Sequence, residues 1–234
     1  VRVGQWPYTT TLQVVNARGA TRAVGVDYLL YVPPDYGQDP QRQWPLILFL
    51  HGSGERGVDA EMVAANGLPA LLQGEANFPF IVVSPQSPPD QVWNFQLDVL
   101  NALLDRIEAD YAVDPRQVYV TGLSMGGFGA WAMALTYPQR FAALVPIAGG
   151  WDSEVDTVPR RICDLKDMPI WVFHGGQDDI VLPKKAELMV NALQQCGSNA
   201  LRYTLYPDAN HKESWTRAYD DPDLYAWMMQ QHLP

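Results

Sequence analysis

The sequence predicts an α/β fold, with a mostly parallel central sheet of about eight strands and helices on both faces. Three observations carry that reading. Short β-rich runs alternate with longer segments of helical spacing. The chain has 234 residues, 47% of them hydrophobic and 18% charged, which is enough to bury one large core. Loops rich in Pro and Gly, at 85–89, 149–152, 175–179 and 207–211, follow strand-like runs at their C-terminal ends. In open α/β sheets that edge is where ligands bind.

The elements follow in order. The β-like runs are Thr9 to Asn16, Val24 to Val32, Pro45 to His51, Phe80 to Ser84, Gln117 to Gly122, Leu144 to Ala148, Pro169 to His174 and Leu201 to Tyr206. The first two lie close together and read as an antiparallel opening pair. Asn94 to Tyr111 carries Leu97, Leu100, Leu103, Leu104 and Ile107 at the three-and-four spacing of a helix packed on a sheet. Ser124 to Tyr137, Pro183 to Gln195 and Asp223 to Gln231 read as further helices, with a weaker helical patch over Ala60 to Gly74. No segment is left for a separate lid, so 1–234 reads as a single catalytic domain, with 1–20 either an opening strand or the remnant of a linker.

Charge and composition exclude several classes. Sixteen Lys and Arg against 26 Asp and Glu give a net charge of −10, a field that repels phosphate backbones and anionic lipid surfaces. Apolar runs such as 46–50 and 80–83 are far shorter than the roughly 20 residues a membrane helix needs. The expectation is therefore no nucleic-acid partner and no membrane insertion. The chain starts Val1-Arg2-Val3-Gly4, without an initiator Met or the zones of a secretory signal, and reads as a mature form, a trimmed form or a domain of something longer. Cys163 and Cys196 lack metal-type spacing and either pair or stay as buried thiols, which leaves the compartment open between cytoplasmic and extracytoplasmic.

The strongest local signal is Gly122-Leu123-Ser124-Met125-Gly126-Gly127, between the strand-like Val118 to Val120 and a helical run. This is the strand–turn–helix context of a nucleophile elbow, in which the serine sits on a sharp turn and the glycines let strand and helix approach. A serine hydroxyl needs a general base at neutral pH, most often His. Of four histidines, His51 precedes the nucleophile, His174 ends a strand and His232 is near the chain end. His211, in the loop after the last strand, fits the order Ser, acid, His. The acid is expected after the preceding strand, where Asp178 and Asp179 both stand. Its task is to hold the imidazole tautomer and stabilise the imidazolium. The oxyanion hole is expected from the backbone N–H of Met125 and from the loop His51 to Gly57, at Ser53 with Gly54 as its neighbour. Glu55 and Arg56 read as a structural ion pair or surface charges. Trp93, Trp151 and Trp215 fall in expected loops near this edge and are candidate walls for an acyl or aryl group, whereas Trp131 reads as core.

These residues also resemble a known family. His51-Gly52-Ser53-Gly54-Glu55-Arg56-Gly57, the elbow through Gly129, Trp171 to Gly175, and Ser214-Trp215-Thr216 resemble bacterial α/β-hydrolases of the predicted-peptidase group. That group is related to phospholipase/carboxylesterase, feruloyl esterase and polyhydroxybutyrate depolymerase proteins, and the likeness runs from Tyr28 onward. The resemblance implies an α/β-hydrolase fold and serine esterase chemistry with no metal or organic cofactor. It also implies Asp178 as the acid, through a His-Gly-x-x-Asp-x-x-Val pattern ending at Val181. The expected reaction is hydrolysis of short-chain, aryl or polymer-end esters through an acyl-enzyme on Ser124. Alternatives are a feruloyl or acetyl-xylan type esterase, a short-peptide peptidase and a non-catalytic binding module on the same scaffold.

Overall fold

The computed structural model describes residues 1–15, 19–74 and 77–234, so the expected strand residue Asn16 lies outside the described residues. The strands are β1 (Gly4–Val15), β2 (Thr21–Val32), β3 (Trp44–Leu50), β4 (Ile81–Pro85), β5 (Val113–Leu123), β6 (Ala143–Ile147), β7 (Ile170–Gly175) and β8 (Leu201–Tyr206). They form one eight-stranded sheet in the order β1-β2-β4-β3-β5-β6-β7-β8. The β1–β2 and β2–β4 pairs are antiparallel and the rest are parallel, so the antiparallel opening is found as expected.

Patterning explains the layers. Every residue of β3, Trp-Pro-Leu-Ile-Leu-Phe-Leu, is buried, as a central parallel strand covered on both faces requires. Leu46, Leu48 and Leu50 join a core with Leu103 and Leu104, Trp131, and Met189 and Leu193. These belong to helices α2 (Leu97–Asp110), α3 (Met125–Thr136) and α4 (Lys184–Gln195). Ile47 and Phe49 face the opposite core, with Leu68, Trp215 and Leu224. Those sit on α1 (Gly67–Leu72), α5 (His211–Tyr219) and α6 (Pro222–Met228). The period of two along β3 therefore decides which helices meet each face.

Two expected helices and one expected loop need correction. The patch at 60–74 is a 3₁₀ segment Ala60–Ala65 followed by α1, broken where Gly67 takes φ +64° and a Cβ would strike Phe49 and Leu123. The helix expected from Asn94 is a 3₁₀ turn Trp93–Phe95 and then α2, because Gln96 leaves helical geometry and donates its side-chain amide to Ser87 Oγ at 2.8 Å. The loop expected to end at His211 instead ends at Asn210, and α5 was not foreseen.

Register sets the site. Leu50 pairs with Gly122, Leu123 with Ile147, Ile147 with Phe173, and Gly175 with Tyr206. The C-terminal ends of β3, β5, β6, β7 and β8 therefore finish along one edge. β3 and β5 are neighbours although β4 lies between them in sequence, so their loops meet at the topological switch point. Cys163, on the 3₁₀ turn Ile162–Leu165, is bridged to Cys196 at the end of α4, with Cα atoms 5.3 Å apart. That resolves the question the sequence left open, and the separation lies within the ordinary disulfide range.

Candidate active site

β5 delivers Ser124 directly into α3. Ser124 takes φ 53° and ψ −119°, a strained conformation for a residue with a side chain. The backbone tolerates it because two neighbours have no Cβ. A Cβ on Gly122 would overlap the carbonyl of Gly126, and one on Gly126 would overlap the carbonyl of Leu50. The turn is held by Ser124 N–H donating to Ile147 O at 3.0 Å. Met125 begins α3, where no carbonyl inside the helix can accept its N–H.

Beside the elbow, β3 runs into the 3₁₀ turn Ser53–Glu55 with Gly52 as its N-cap, so Ser53 is exposed on the turn that adjoins the elbow. A Cβ on Gly52 would touch Leu123 and come within 3.7 Å of Ser124 Cβ, which shows how closely turn and elbow approach. His51 is buried under this turn. Its Nε2 accepts from Ser87 N–H at 3.0 Å, so its proton resides on Nδ1, which faces Gly52 O at 2.5 Å. Burial pulls the His51 pKa from the ordinary 6.5 to about 4, against the raising effect of the Gly52 bond. His51 is therefore a neutral strut under the turn. Glu55 and Arg56 do not act as a pair. Glu55 is buried and accepts from Asn66 at 2.6 Å, whereas Arg56 is exposed and donates to Ser53 O at 3.0 Å. The sequence reading missed the burial of Glu55, for which the pattern held no signal.

The other two groups come from β7 and β8. Asp178 follows β7 and His211 follows β8, and backbone bonds join the two loops: Gly176 N–H to Tyr206 O at 2.7 Å and Gln177 N–H to Ala209 O at 2.9 Å. His211 is the first residue of α5. Asn210 caps that helix, its side chain accepting from Glu213 N–H at 3.0 Å while Glu213 accepts from Asn210 N–H at 2.9 Å. The Asn210-x-x-Glu213 spacing is a capping box, the signal by which the helix start could have been found.

The three side chains meet. His211 Nε2 lies 2.9 Å from Ser124 Oγ and His211 Nδ1 lies 2.7 Å from Asp178 Oδ2. Asp178 Oδ1 accepts from Ile180 N–H at 3.0 Å and Val181 N–H at 2.9 Å. Burial pushes the Asp178 carboxyl up, but donors from His174, His211 and Val181 outweigh it and hold the group below the usual carboxylate range. Asp179 is exposed and does not join.

The expected tryptophans divide. Trp93 lines a cavity of about 220 Å³ together with Val92, Asn94, Ser124, Met125, Phe128, Ser153 and Val181. It is nonetheless buried, donates its indole N–H to His51 O at 3.0 Å, and packs against Gly129 of α3. Trp215 lies on α5 and not in a loop. It packs edge-on against the His211 ring with centroids 4.9 Å apart, one turn along the helix. Trp151 lies apart from Ser124, in a cavity with Leu135, Thr136 and Val158 at the far end of α3. Phe128, one helical turn after Ser124, is the cavity-lining aromatic that the sequence reading missed. A larger cavity of about 600 Å³ beside β1, lined by Trp6, Pro7 and Tyr31, contains none of these groups.

The strand order and a serine turn at the end of β5 define an α/β-hydrolase. The chain belongs to the Esterase family, whose model, "Putative esterase", matches residues 25–214. By fold and family it groups with esterase-type hydrolases. Poly(3-hydroxyalkanoate) depolymerase C of Paucimonas lemoignei is 36% identical over 121 residues, 45% of this chain and 28% of the depolymerase. "Probable feruloyl esterase C" of Aspergillus terreus is 28% identical over 178 residues, 73% of this chain and 61% of that protein. A solved thermostable esterase superposes with TM-score 0.72 at 29% identity, covering 96% of this chain and 63% of that one. The chain thus spans less than two thirds of each of these relatives. Among the described residues, no helix is long and apolar enough to cross a membrane.

Proposed function

We propose that this chain hydrolyses carboxylic esters through an acyl-enzyme on Ser124. The observation that carries the reading is the unbroken chain Ser124 Oγ, His211, Asp178, with contacts of 2.9 and 2.7 Å. His211 Nε2 takes the hydroxyl proton as Oγ attacks the ester carbonyl. The carbonyl oxygen becomes an oxyanion facing the N–H groups of Met125 and Ser53, and each such donor is worth about 3 kcal/mol of transition-state stabilisation. His211 then passes its proton to the departing alkoxide. In the second half it takes a proton from water, the hydroxide attacks the acyl carbon, and Ser124 leaves with that proton. Asp178 stays ionised throughout and stabilises the imidazolium.

The cavity supports a reading of the substrate class. Val92, Trp93, Met125, Phe128 and Val181 give it an apolar wall with no charged side chain, and Asn94 and Ser153 supply neutral polar groups. Exposed Phe95, Ile180 and Leu182 stand on the same loops as the lining residues Asn94 and Val181. Such a site favours neutral, short-chain or aryl acyl groups, carried on small molecules or at polymer ends. A feruloyl or acetyl-xylan type activity is the second reading, favoured by the aromatic wall of Trp93 and Phe128 and by the feruloyl esterase relatives. The Cys163–Cys196 bridge supports an oxidising, extracytoplasmic location. The test is turnover of p-nitrophenyl butyrate and methyl ferulate by wild type and Ser124→Ala. Loss of about 10⁴-fold or more in the variant is expected, and wild-type rates in Ser124→Ala contradict the reading.

A further inference from the structure

His174 has no task in the mechanism above, yet it is wholly buried at the end of β7 beside the acid. Its Nε2 lies 2.8 Å from Val181 O and 3.3 Å from Asp178 Oδ2. Both neighbours are acceptors only, so the ring proton must reside on Nε2. Nδ1 is buried without a hydrogen-bond partner among the described residues, so a proton there would have no acceptor among them. We propose that His174 is a positioning residue, a neutral imidazole protonated on Nε2 that clamps the Asp178–Val181 turn and shares Asp178 Oδ2 with His211. The inference rests on the reading of Ser124, His211 and Asp178 as the proton relay.

The clamp works at two points. Asp178 Oδ1 holds the N–H of Val181 while His174 holds its C=O, so Val181 is fixed from both sides. Val181 also lines the cavity that contains Ser124. One buried ring thus couples the acid to the wall of the acyl pocket. The second effect is electrostatic. Asp178 faces His174 and His211, and His211 faces Asp178, Ser124 and the ring of Trp215. A donor from His174 draws carboxylate charge away from His211. Removing it concentrates that charge on His211 Nδ1–H, which stabilises the imidazolium and makes His211 a stronger base.

The test compares His174→Leu, which loses the donor, with His174→Gln, whose amide N–H can occupy the place of Nε2. In His174→Leu, kcat for p-nitrophenyl butyrate should fall about 10- to 100-fold as the relay loosens. The acid limb of kcat/KM should move to higher pH, and KM should rise more for butyrate than for acetate. His174→Gln should restore most of kcat and return the acid limb. A folded His174→Leu enzyme with wild-type kcat and acid limb overturns the proposal. Should His174→Leu not fold, ¹⁵N NMR of histidine-labelled wild type decides. Protonated Nε2 with bare Nδ1 at neutral pH supports the clamp, and an Nδ1-protonated or doubly protonated ring overturns it. That measurement needs no substrate, so a chain with this tautomer but no esterase activity would refute the reaction and leave the clamp standing.

Discussion

The serine half and the aspartate–histidine half of the proposed site are built by different physics. On the nucleophile side, one contiguous stretch, β5 into α3, places Ser124 by backbone shape, with Gly122 and Gly126 permitting contacts that a Cβ would forbid. On the acid–base side, Asp178 and His211 come from separate strands and are placed by hydrogen bonds: the loop-to-loop pair, the capping box at Asn210 and the donors around Asp178. The first half is held by steric exclusion and tolerates no added methyl. The second is held by polar contacts between separate loops.

This contrast can be broken from either side. The largest effect is expected on the polar side. Asp178→Asn keeps the shape but removes the carboxylate charge and favours the wrong imidazole tautomer, so kcat should fall about 10⁴-fold, with a smaller loss of stability of about 1–3 kcal/mol as an amide NH2 meets donors on one side of the group. A comparable loss of stability would mean that the polar side is structural after all. Gly126→Ala is the converse. Its methyl would enter the Leu50 carbonyl, so urea unfolding should show a destabilisation of about 3 kcal/mol or outright failure to fold. Near-wild-type stability would show that the elbow can relax.

The smallest effect sharpens the comparison beneath the Ser53–Glu55 turn. His51 has a folded pKa of about 4 against an ordinary 6.5. Between those values the unfolded chain binds the proton and the folded chain does not, so its contribution is present above pH 6.5 and lost as pH falls toward 4. The upper bound is about 3 kcal/mol across that window. His51→Gln should flatten the dependence of melting temperature on pH over the same range, and an unchanged slope would assign it to other groups.

Legibility in the sequence follows the same division. Ser124 could be read because its neighbours in sequence are its neighbours in space. The eight strands were legible from apolar runs, although β1 also takes in Gly4 to Tyr8 and β5 starts at Val113, ahead of a register shift that the apolar run at 118–120 does not reveal. The pair Asp178 and His211 could be narrowed by chain order, although their contact is a product of tertiary structure. The start of α5 was written in Asn210 and Glu213 but obscured by the turn-like Pro207-Asp208-Ala209-Asn210. Trp151 and Trp215 show the limit: both follow strands, yet loop direction carries one to the far end of α3 and the capping box carries the other onto a helix behind His211. No linear pattern distinguishes an aromatic that lines a pocket from one that braces the ring of His211.

The most direct test of the central claim is intact-mass and peptide mapping after reaction with a fluorophosphonate. One equivalent should attach to the peptide carrying Ser124, with no adduct in Ser124→Ala and slow labelling in His211→Ala. Labelling at another residue, or none in the folded wild-type protein, would contradict a nucleophile activated by the Ser124–His211–Asp178 relay.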